Sequence, residues 1–200
     1  MKIRMSLAII GVVLLSVCLL PGCGKPGPEK TIIHKELDAP YEASCGLVFF
    51  GQCGNFVKKE VHENLNPIYG TSVHYEADEV TEADVYIYSL DTKGTDVNQK
   101  AFEKECASVV GNILSTETKI DNLIEVKEIP SPEKYPDGIF AKHFLYSAKK
   151  GINFETSLLM FLYKGKIIKV RITYPGGDIA IRDDAINFER SLLKQALDKE

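Results

Sequence analysis

Several of the residues that most often indicate a function are scarce in this chain. The sequence of 200 residues has no tryptophan and four histidines, and its 28 acidic side chains outnumber its 24 lysines and arginines. Nucleic acids attract proteins through cationic side chains, because each phosphate that is neutralised releases a counterion. The net negative charge therefore argues against a protein that binds nucleic acid.

Short motifs of the common enzyme classes are missing as well. The chain has no G-x-S-x-G nucleophile elbow, no Walker-type phosphate loop and no G-x-G-x-x-G turn. The histidines are scattered, and none lies four residues from another, as in zinc-binding helices: His34, His62, His74 and His143. These absences remove the positive case for an enzyme, and we expect no catalytic residue, cofactor or metal.

The N-terminal residues have the pattern of an export signal. An uncharged, mostly apolar run extends from Met5 to Leu20 and follows the basic residues Lys2 and Arg4. As a helix, this run would reach about 24 Å at about 1.5 Å per residue. The hydrocarbon core of a bilayer is about 30 Å thick, so the run is too short to favour a permanent membrane span.

The run ends in Leu20-Pro21-Gly22-Cys23, which resembles the lipobox of bacterial lipoproteins. The resemblance implies that residues 1–22 are a signal peptide and that Cys23 becomes the first residue, with a diacylglycerol on its Sγ. Cys18 is the weaker candidate, because the valine before it is too large for the cleavage position. An ordinary secretory cut and an uncut anchor are the alternatives. We therefore expect a protein of the cell envelope that is lipid-anchored to a membrane.

The segment after Cys23 is predicted to be a spacer. Residues 24–30 contain two prolines and two glycines, so they have little to pack and are kept extended. We interpret residues 23–30 as a flexible tether and residues 31–200 as one globular domain. If the host has two membranes, Gly24 after the lipidated cysteine resembles the pattern of sorting to the outer membrane, facing the periplasm.

Cleavage of the signal peptide would also change the charge of the chain. The loss of Lys2 and Arg4 would leave 22 basic against 28 acidic side chains, a net charge of −6. This charge argues against peripheral attraction to anionic lipid, so the lipid at Cys23 is the expected contact with the membrane.

Three further cysteines would meet an oxidising compartment if the protein is exported to a periplasm. Cys45 and Cys53 flank a short loop with a glycine near each end, and a disulfide between them would add about 2 to 3 kcal/mol. The alternative is two buried thiols. Cys106 lies at helical spacing with Phe102 and Val109, so we expect its thiol to face the core as an unreactive apolar group.

The middle of the chain predicts three strands followed by a helix. The strands are predicted at 56–63, 72–76 and 83–90, and β-branched residues alternate with tyrosines in the last of them. Asp96 is the predicted N-cap of the helix, whose apolar positions recur every three or four residues to about Leu114.

The second half predicts four strands and a second helix. One strand is predicted at 122–129, and three more between 138 and 174, joined by glycine turns at 149–151 and 164–166. Asp178 is the predicted cap of the C-terminal helix. This order predicts an α+β fold, in which two helices pack on an antiparallel sheet of six or seven strands.

The segment ADVYIYSLD, the helix after it, and the meander that ends in GKIIKVRITYP resemble small bacterial envelope lipoproteins. They also resemble, more distantly, the PsbP-type α/β/α sandwich, over about residues 55–197. The resemblance implies an accessory, assembly or binding module, and it implies no catalytic residue at any position of this chain.

Two groups of strand residues are candidates for binding. His74 and Glu76 share a face, which would suit a metal or an acid/base pair, although exposed polar residues are the simpler interpretation. Tyrosines on the strands would form an aromatic surface for a partner, or else would pack under the helices: Tyr86, Tyr88, Tyr146, Tyr163 and Tyr174.

We therefore predict a membrane-anchored envelope lipoprotein that acts as a non-catalytic binding, accessory or assembly module, with a protein or cell-wall partner. The alternative is a small-ligand carrier or an enzyme with a pocket between sheet and helices. In that case Cys106 or His74 would be the reactive group.

Overall fold

The computed structural model describes residues 31–34, 36–117, 123–129, 140–148 and 153–198. The predicted signal peptide, Cys23 and the tether lie outside these residues, as does the predicted turn at 149–151. The lipid anchor and the boundaries of the segments before residue 31 therefore stay predictions.

Eleven strands and two helices make up the described chain. The strands are β1 Thr31–His34, β2 Tyr41–Glu42, β3 Val48–Phe49, β4 Gln52–Cys53, β5 Phe56–Asn64, β6 Thr71–Glu76, β7 Glu82–Tyr88, β8 Leu123–Ile129, β9 Phe140–Ala148, β10 Asn153–Tyr163 and β11 Lys166–Pro175. The helices are α1 Gln99–Glu117 and α2 Ile179–Leu197. Seven strands, β5 to β11, have six residues or more, and they correspond to the seven that the sequence predicts.

One antiparallel sheet contains nine of the strands, in the order β1-β5-β6-β7-β11-β10-β9-β8, with β4 paired to β5. The strands β5 to β7 form one meander, and β8 to β11 form another. The two meanders join at the centre, where β7 pairs with β11 and Val85 lies opposite Val170. The remaining strands, β2 and β3, form a small separate pair.

Alternation along β11 fixes which face of the sheet each residue occupies. Ile168, Val170 and Ile172 are fully buried, whereas the residues between them are half-buried on the opposite face. A shift of one residue would exchange the two sets, so the apolar alternation sets the register. The turn into β11 takes positive φ at Lys164 (47°) and Gly165 (70°), as a tight two-residue hairpin requires.

Helix α2 covers one face of the sheet. Asp178 caps it as predicted, since its Oδ1 accepts hydrogen bonds from the N–H groups of Ala180 (3.0 Å) and Ile181 (3.2 Å). Phe188 packs between the rings of Phe56 and Tyr75, with both ring centroids 5.0 Å away. The predicted apolar face is buried along its length: Ala185, Phe188, Leu192, Leu193 and Ala196.

Helix α1 covers part of the opposite face. Its Phe102, Cys106 and Val109 are buried in a second core cluster with Leu158 and Met160 of β10. These strand residues alternate with Leu159 and Phe161, which belong to the cluster under α2. The two helices therefore lie on opposite faces, which makes an α/β/α arrangement and confirms the predicted α+β fold.

The predicted cap of α1 was wrong. The helix begins at Gln99, and Asn98 caps it, because Asn98 Oδ1 accepts a hydrogen bond from the N–H of Ala101 at 3.0 Å. Asp96 instead lies against the β10–β11 turn, where a methyl group at Gly165 would meet its carboxylate. Asp96 packs on the hairpin, so Asn98, two residues later, caps the helix in its place.

The segment between β1 and β5 completes the core under α2, although the sequence predicted no strand there. Leu47 and Phe49 are fully buried in it. Lys58 is also buried, and its Nζ donates hydrogen bonds to the carbonyl oxygens of Ala39 (2.7 Å) and Phe49 (3.1 Å). This lysine ties the segment to strand β5.

Candidate binding surface

A polar area extends beside α1 on the face of the sheet that this helix covers in part. We call this area the open face, and it comprises Glu60, His62, Ser72, His74, Glu76, Glu82, Asp84, Tyr86, Lys169, Arg171 and Thr173, on β5, β6, β7 and β11. Each of these residues is half-buried or exposed. Within the part of the chain that the structure describes, the open face is therefore the candidate surface for a partner.

Period-two alternation on β7 explains why polar residues collect there. Val85 and Ile87 are buried under α2, whereas Asp84 and Tyr86 point to the other side. The neighbouring strands follow the same register, since His74 lies opposite Asp84 and Lys169 lies opposite Tyr86. The sequence signal for this surface is the set of polar residues that alternate with the core positions.

His74 lies between two carboxylates on the open face. Its Nδ1 is 2.8 Å from Asp84 Oδ1, and its Nε2 is 3.5 Å from Glu76 Oε1. The hydrogen bond to Asp84 raises the pKa of His74 to about 9, against the effect of partial burial and with the help of the charges of Asp84 and Glu82. His74 is thus a cation at neutral pH.

His74 and Glu76 share a face as predicted, but a protonated imidazole beside carboxylates is suited to an ion pair and not to a metal site or a general base. A general base works best with a pKa near the working pH, and a metal ligand must be a neutral imidazole. Among the described residues, no group of three or more histidines, cysteines and carboxylates could hold a metal ion. The arrangement is therefore a charged hydrogen-bond cluster on a sheet.

The basic side of the open face lies on β11. Lys169 Nζ is 4.2 Å from the centroid of the Tyr86 ring and 5.8 Å from that of Tyr88, which is cation–π distance. Tyr88 also donates a hydrogen bond to Glu105 of α1 at 3.0 Å. The acidic residues of β6 and β7 and the basic residues of β11 therefore lie side by side, with an aromatic ring between them.

The other tyrosines of the predicted aromatic surface lie elsewhere. Tyr163 and Tyr174 are buried on the α2 face, at 2% and 1% exposure, as the alternative interpretation had it. Tyr174 donates a hydrogen bond to Glu155 at 3.1 Å. The side chains of Tyr146 and His143 lie outside the part of the chain that the structure describes.

The two other histidines with described side chains each contact a glutamate. His62 Nε2 lies 2.9 Å from Glu60 on the open face. His34 Nε2 lies 3.2 Å from Glu63 at the sheet edge, beside the ring of Tyr41. The structure thus places His62 and His74 on neighbouring strands, and it keeps His34 apart from them.

The three described cysteines are all thiols. Burial, with a smaller contribution from Glu105, raises the pKa of Cys106 to about 12, so this thiol is the unreactive core residue that the sequence predicts. Cys45 is buried, and Cys53 Sγ lies 3.3 Å from Ser191 Oγ. The disulfide between Cys45 and Cys53 is not formed in this structure, and it stays a prediction.

Among the hollows lined by described residues, one lies at an edge of the sheet and another at one of its ends. The larger, of about 410 Å³, is lined by residues that include His34, Pro40 and Tyr41. The smaller, of about 170 Å³, lies beside the loop between β5 and β6. Cys106 and His74 line neither of them, so neither hollow matches the predicted pocket between sheet and helices.

The described residues define a class: an α/β/α domain in which one sheet face carries, beside α1, charged and aromatic side chains that are half-buried or exposed. Comparison with protein-family models finds no match, and comparison with curated proteins finds none either. No helix in the described part of the chain is long and apolar enough to cross a bilayer.

Proposed function

We propose that this chain is a lipoprotein of the bacterial cell envelope, anchored through Cys23, and that its domain binds another protein through the open face without catalysing a reaction. The lipobox-like LPGC and the short apolar run before it support the anchor. The open face supports the binding role, and it is the single observation that carries it.

The open face is held in place before any partner arrives. Its side chains stand on paired strands, and His74 and Lys169 are fixed by Asp84 and by the Tyr86 ring. A surface ordered in advance loses less conformational entropy on binding. Because acidic and basic residues lie side by side, a partner with the opposite arrangement of charges would dock in one orientation.

The size of the open face favours a weak, reversible contact. Four strands about 4.8 Å apart and about five residues long, at about 3.3 Å each, cover roughly 300 Å². A stable interface buries about 800 Å² on each partner. A partner that binds only this surface would therefore associate transiently, and one that binds tightly must also contact α1 or the sheet edges.

Two observations weigh against the catalytic alternative. The thiol of Cys106 is buried, with a pKa of about 12, and thus is not a nucleophile. His74 is protonated at neutral pH, with a pKa of about 9, and so is not a base there. These observations argue against a cysteine nucleophile and against a histidine base.

The anchor is tested by the mass of the protein extracted from membranes of its host. We expect a chain that begins at Cys23 and carries acyl chains, whereas the variant Cys23→Ser should keep residues 1–22 and carry no lipid. A wild-type chain that starts at Met1 with an unmodified Cys23 would contradict the anchor.

The binding role is tested by a photo-crosslinking amino acid placed at Tyr86 in intact cells. The matched control places it at Asn187, which is exposed on the outer side of α2. We expect a reproducible crosslinked protein from position 86 that is absent from position 187. Identical products from the two positions, or none from either, would count against the open face.

A further inference from the structure

Three large apolar side chains are exposed in loops at one end of the sheet. Leu65 is 60% exposed, Tyr69 45% and Leu90 40%. Leu65 and Tyr69 belong to the loop between β5 and β6, and Leu90 follows β7. We call this end, with Thr31 and the loops at 65–70 and 89–96, the tether end.

Hydrogen bonds hold these loops in one arrangement. The N–H of Asn64 donates to the carbonyl of Gly70 at 2.8 Å, which closes the loop between β5 and β6. The N–H of Ser89 donates to the carbonyl of Pro67, also at 2.8 Å, which joins that loop to the segment after β7. Lys166 Nζ then donates to Ser89 Oγ (2.9 Å) and to the carbonyl of Gly94 (2.7 Å). The exposed apolar residues therefore belong to a preformed surface.

The described residues begin at this same end. Thr31, the first described residue, lies opposite Asn64, directly beside the loop that carries Leu65. Seven residues, 24–30, separate Cys23 from Thr31, so eight Cα–Cα steps join the two. Even fully extended, these eight steps span at most about 29 Å, at up to about 3.6 Å each. A lipid on Cys23 would therefore keep the tether end within a short distance of the bilayer surface.

We infer that the tether end faces the bilayer and that Leu65, Tyr69 and Leu90 enter its interfacial layer. The inference rests on the proposed lipid anchor at Cys23. The anchor makes the second contact intramolecular, so that even a weak apolar contact is populated. Tyrosine suits this layer, because its ring is apolar and its hydroxyl group stays in the hydrated headgroup region.

The charges at the tether end favour neutral lipid as the surface that this end contacts. At the tether end, the lysines Lys93, Lys164 and Lys166 are balanced by three carboxylates: Asp91, Asp96 and Glu63, the last of which lines the smaller hollow together with Lys166. Because no net positive charge collects there, attraction to anionic headgroups is small, and apolar burial is the favourable contribution.

Exposed apolar residues also occur at the far end of the sheet, among them Val80, which is 50% exposed. Val80 lies in the turn between β6 and β7, where Glu76 pairs with Glu82. The position of Thr31, where the described residues begin, distinguishes the two ends, and Val80 therefore provides a matched control position.

The absence of tryptophan from the chain makes the test direct. The full lipidated protein is reconstituted in phosphatidylcholine vesicles with brominated acyl chains, as the single-tryptophan variants Tyr69→Trp and Val80→Trp. Bromine quenches the fluorescence of a tryptophan that contacts the acyl chains. We expect quenching of Tyr69→Trp to be at least twice that of Val80→Trp. Adding Leu65→Asn and Leu90→Asn to Tyr69→Trp should reduce this difference.

Two other outcomes separate this inference from the proposed function. A protein that floats with the vesicles but shows equal quenching at both positions, or stronger quenching at Val80→Trp, overturns the orientation and leaves the anchor in place. A protein with no lipid on Cys23 that does not float overturns the anchor, and this inference with it.

Discussion

At the scale of single residues, Lys58 is a charged side chain in the core. It is 2% exposed, and its ammonium group donates to two main-chain carbonyls of the segment between β1 and β5. Burial lowers the pKa of Lys58, and the charge of Asp38 partly offsets this effect. The side chain thus serves as a fixed donor for two main-chain carbonyls, and the one on the buried Phe49 would otherwise lack this partner.

Replacement of this lysine should destabilise the domain. Lys58→Met keeps the apolar stem but leaves the carbonyls of Ala39 and Phe49 without their donor, and we expect a loss of about 2 kcal/mol in the free energy of unfolding. Urea unfolding followed by circular dichroism measures it. Lys59→Met is the control, because Lys59 is exposed and pairs with Glu76 at 3.6 Å, and it should cost less than about 1 kcal/mol. Equal losses would show that the carbonyl contacts contribute nothing.

The ion pair of His74 should make stability depend on pH. Its pKa rises from 6.5 to about 9 in the folded protein, mainly through the hydrogen bond to Asp84. A raised pKa stabilises the fold fully below pH 6.5, and this contribution, at most about 3 kcal/mol, is lost as the pH rises through 9. His74→Gln should flatten the fall in unfolding free energy across this range, as should Asp84→Asn. An unchanged slope in both variants would contradict the role of the pair.

At the scale of elements, glycines determine how the hairpins close. Gly70 ends the loop between β5 and β6 with φ of +54°, and a methyl group there would lie 1.9 Å from the carbonyl oxygen of Ile87. Gly54 has a similar φ of +60°, but nothing lies within 4 Å of such a methyl group. Alanine variants at the two positions can therefore be compared. Both would be destabilised by a left-handed conformation, but only the variant at Gly70 would also be destabilised by a clash with the backbone.

The two glycine variants should therefore differ in stability. Gly54→Ala should cost about 1 to 2 kcal/mol, the penalty for a left-handed residue with a side chain. Gly70→Ala should cost at least about 3 kcal/mol, because β7 must also move away. Chemical denaturation of both variants measures the difference, and equal costs would mean that the loop relaxes around the new methyl group.

The long elements could be predicted because several signals agree in them. Strand β11 has apolar alternation, a glycine turn before it and Pro175 at its end, and α2 has both a cap and an apolar face. The strands β1 to β4 have two to four residues and are held by Lys58 and by strand pairing, which no local pattern encodes. The sequence did not identify Asn98 as the cap, because Asp96, two residues earlier, is an equally suitable capping residue. Only the contact of Asp96 with the β10–β11 hairpin distinguishes the two.

Predicting the candidate surface from the sequence was possible only in part. From the alternation along the strands, we predicted that His74 and Glu76 share one face of their strand. The same alternation predicted that Tyr86 and Tyr88 share one face of theirs. Asp84 and Lys169 were missed, because their contacts depend on the order of strands in the sheet. The pairing of β7 with β11 joins residues 85 positions apart, such as Val85 and Val170, and a pattern within one strand cannot show it.

At the scale of the whole molecule, this central pairing should govern the rate of folding. The two meanders form from local contacts, but the sheet is complete only when β7 meets β11 across that separation. Domains dominated by such distant pairings fold in milliseconds to seconds. We expect refolding on this timescale in stopped-flow experiments that follow tyrosine fluorescence, since the chain has no tryptophan. Complete refolding within microseconds would contradict this expectation.

The position of β1 also has a mechanical consequence. Its four residues pair with β5 from Thr31, next to the tether, to His34. A force that pulls the chain away from the tether end acts along these strands, so the hydrogen bonds between them resist shear together. A force across the sheet edge would instead open them one after another. We expect the domain to resist extension along its anchor better than peeling, with β1 as the first element to yield.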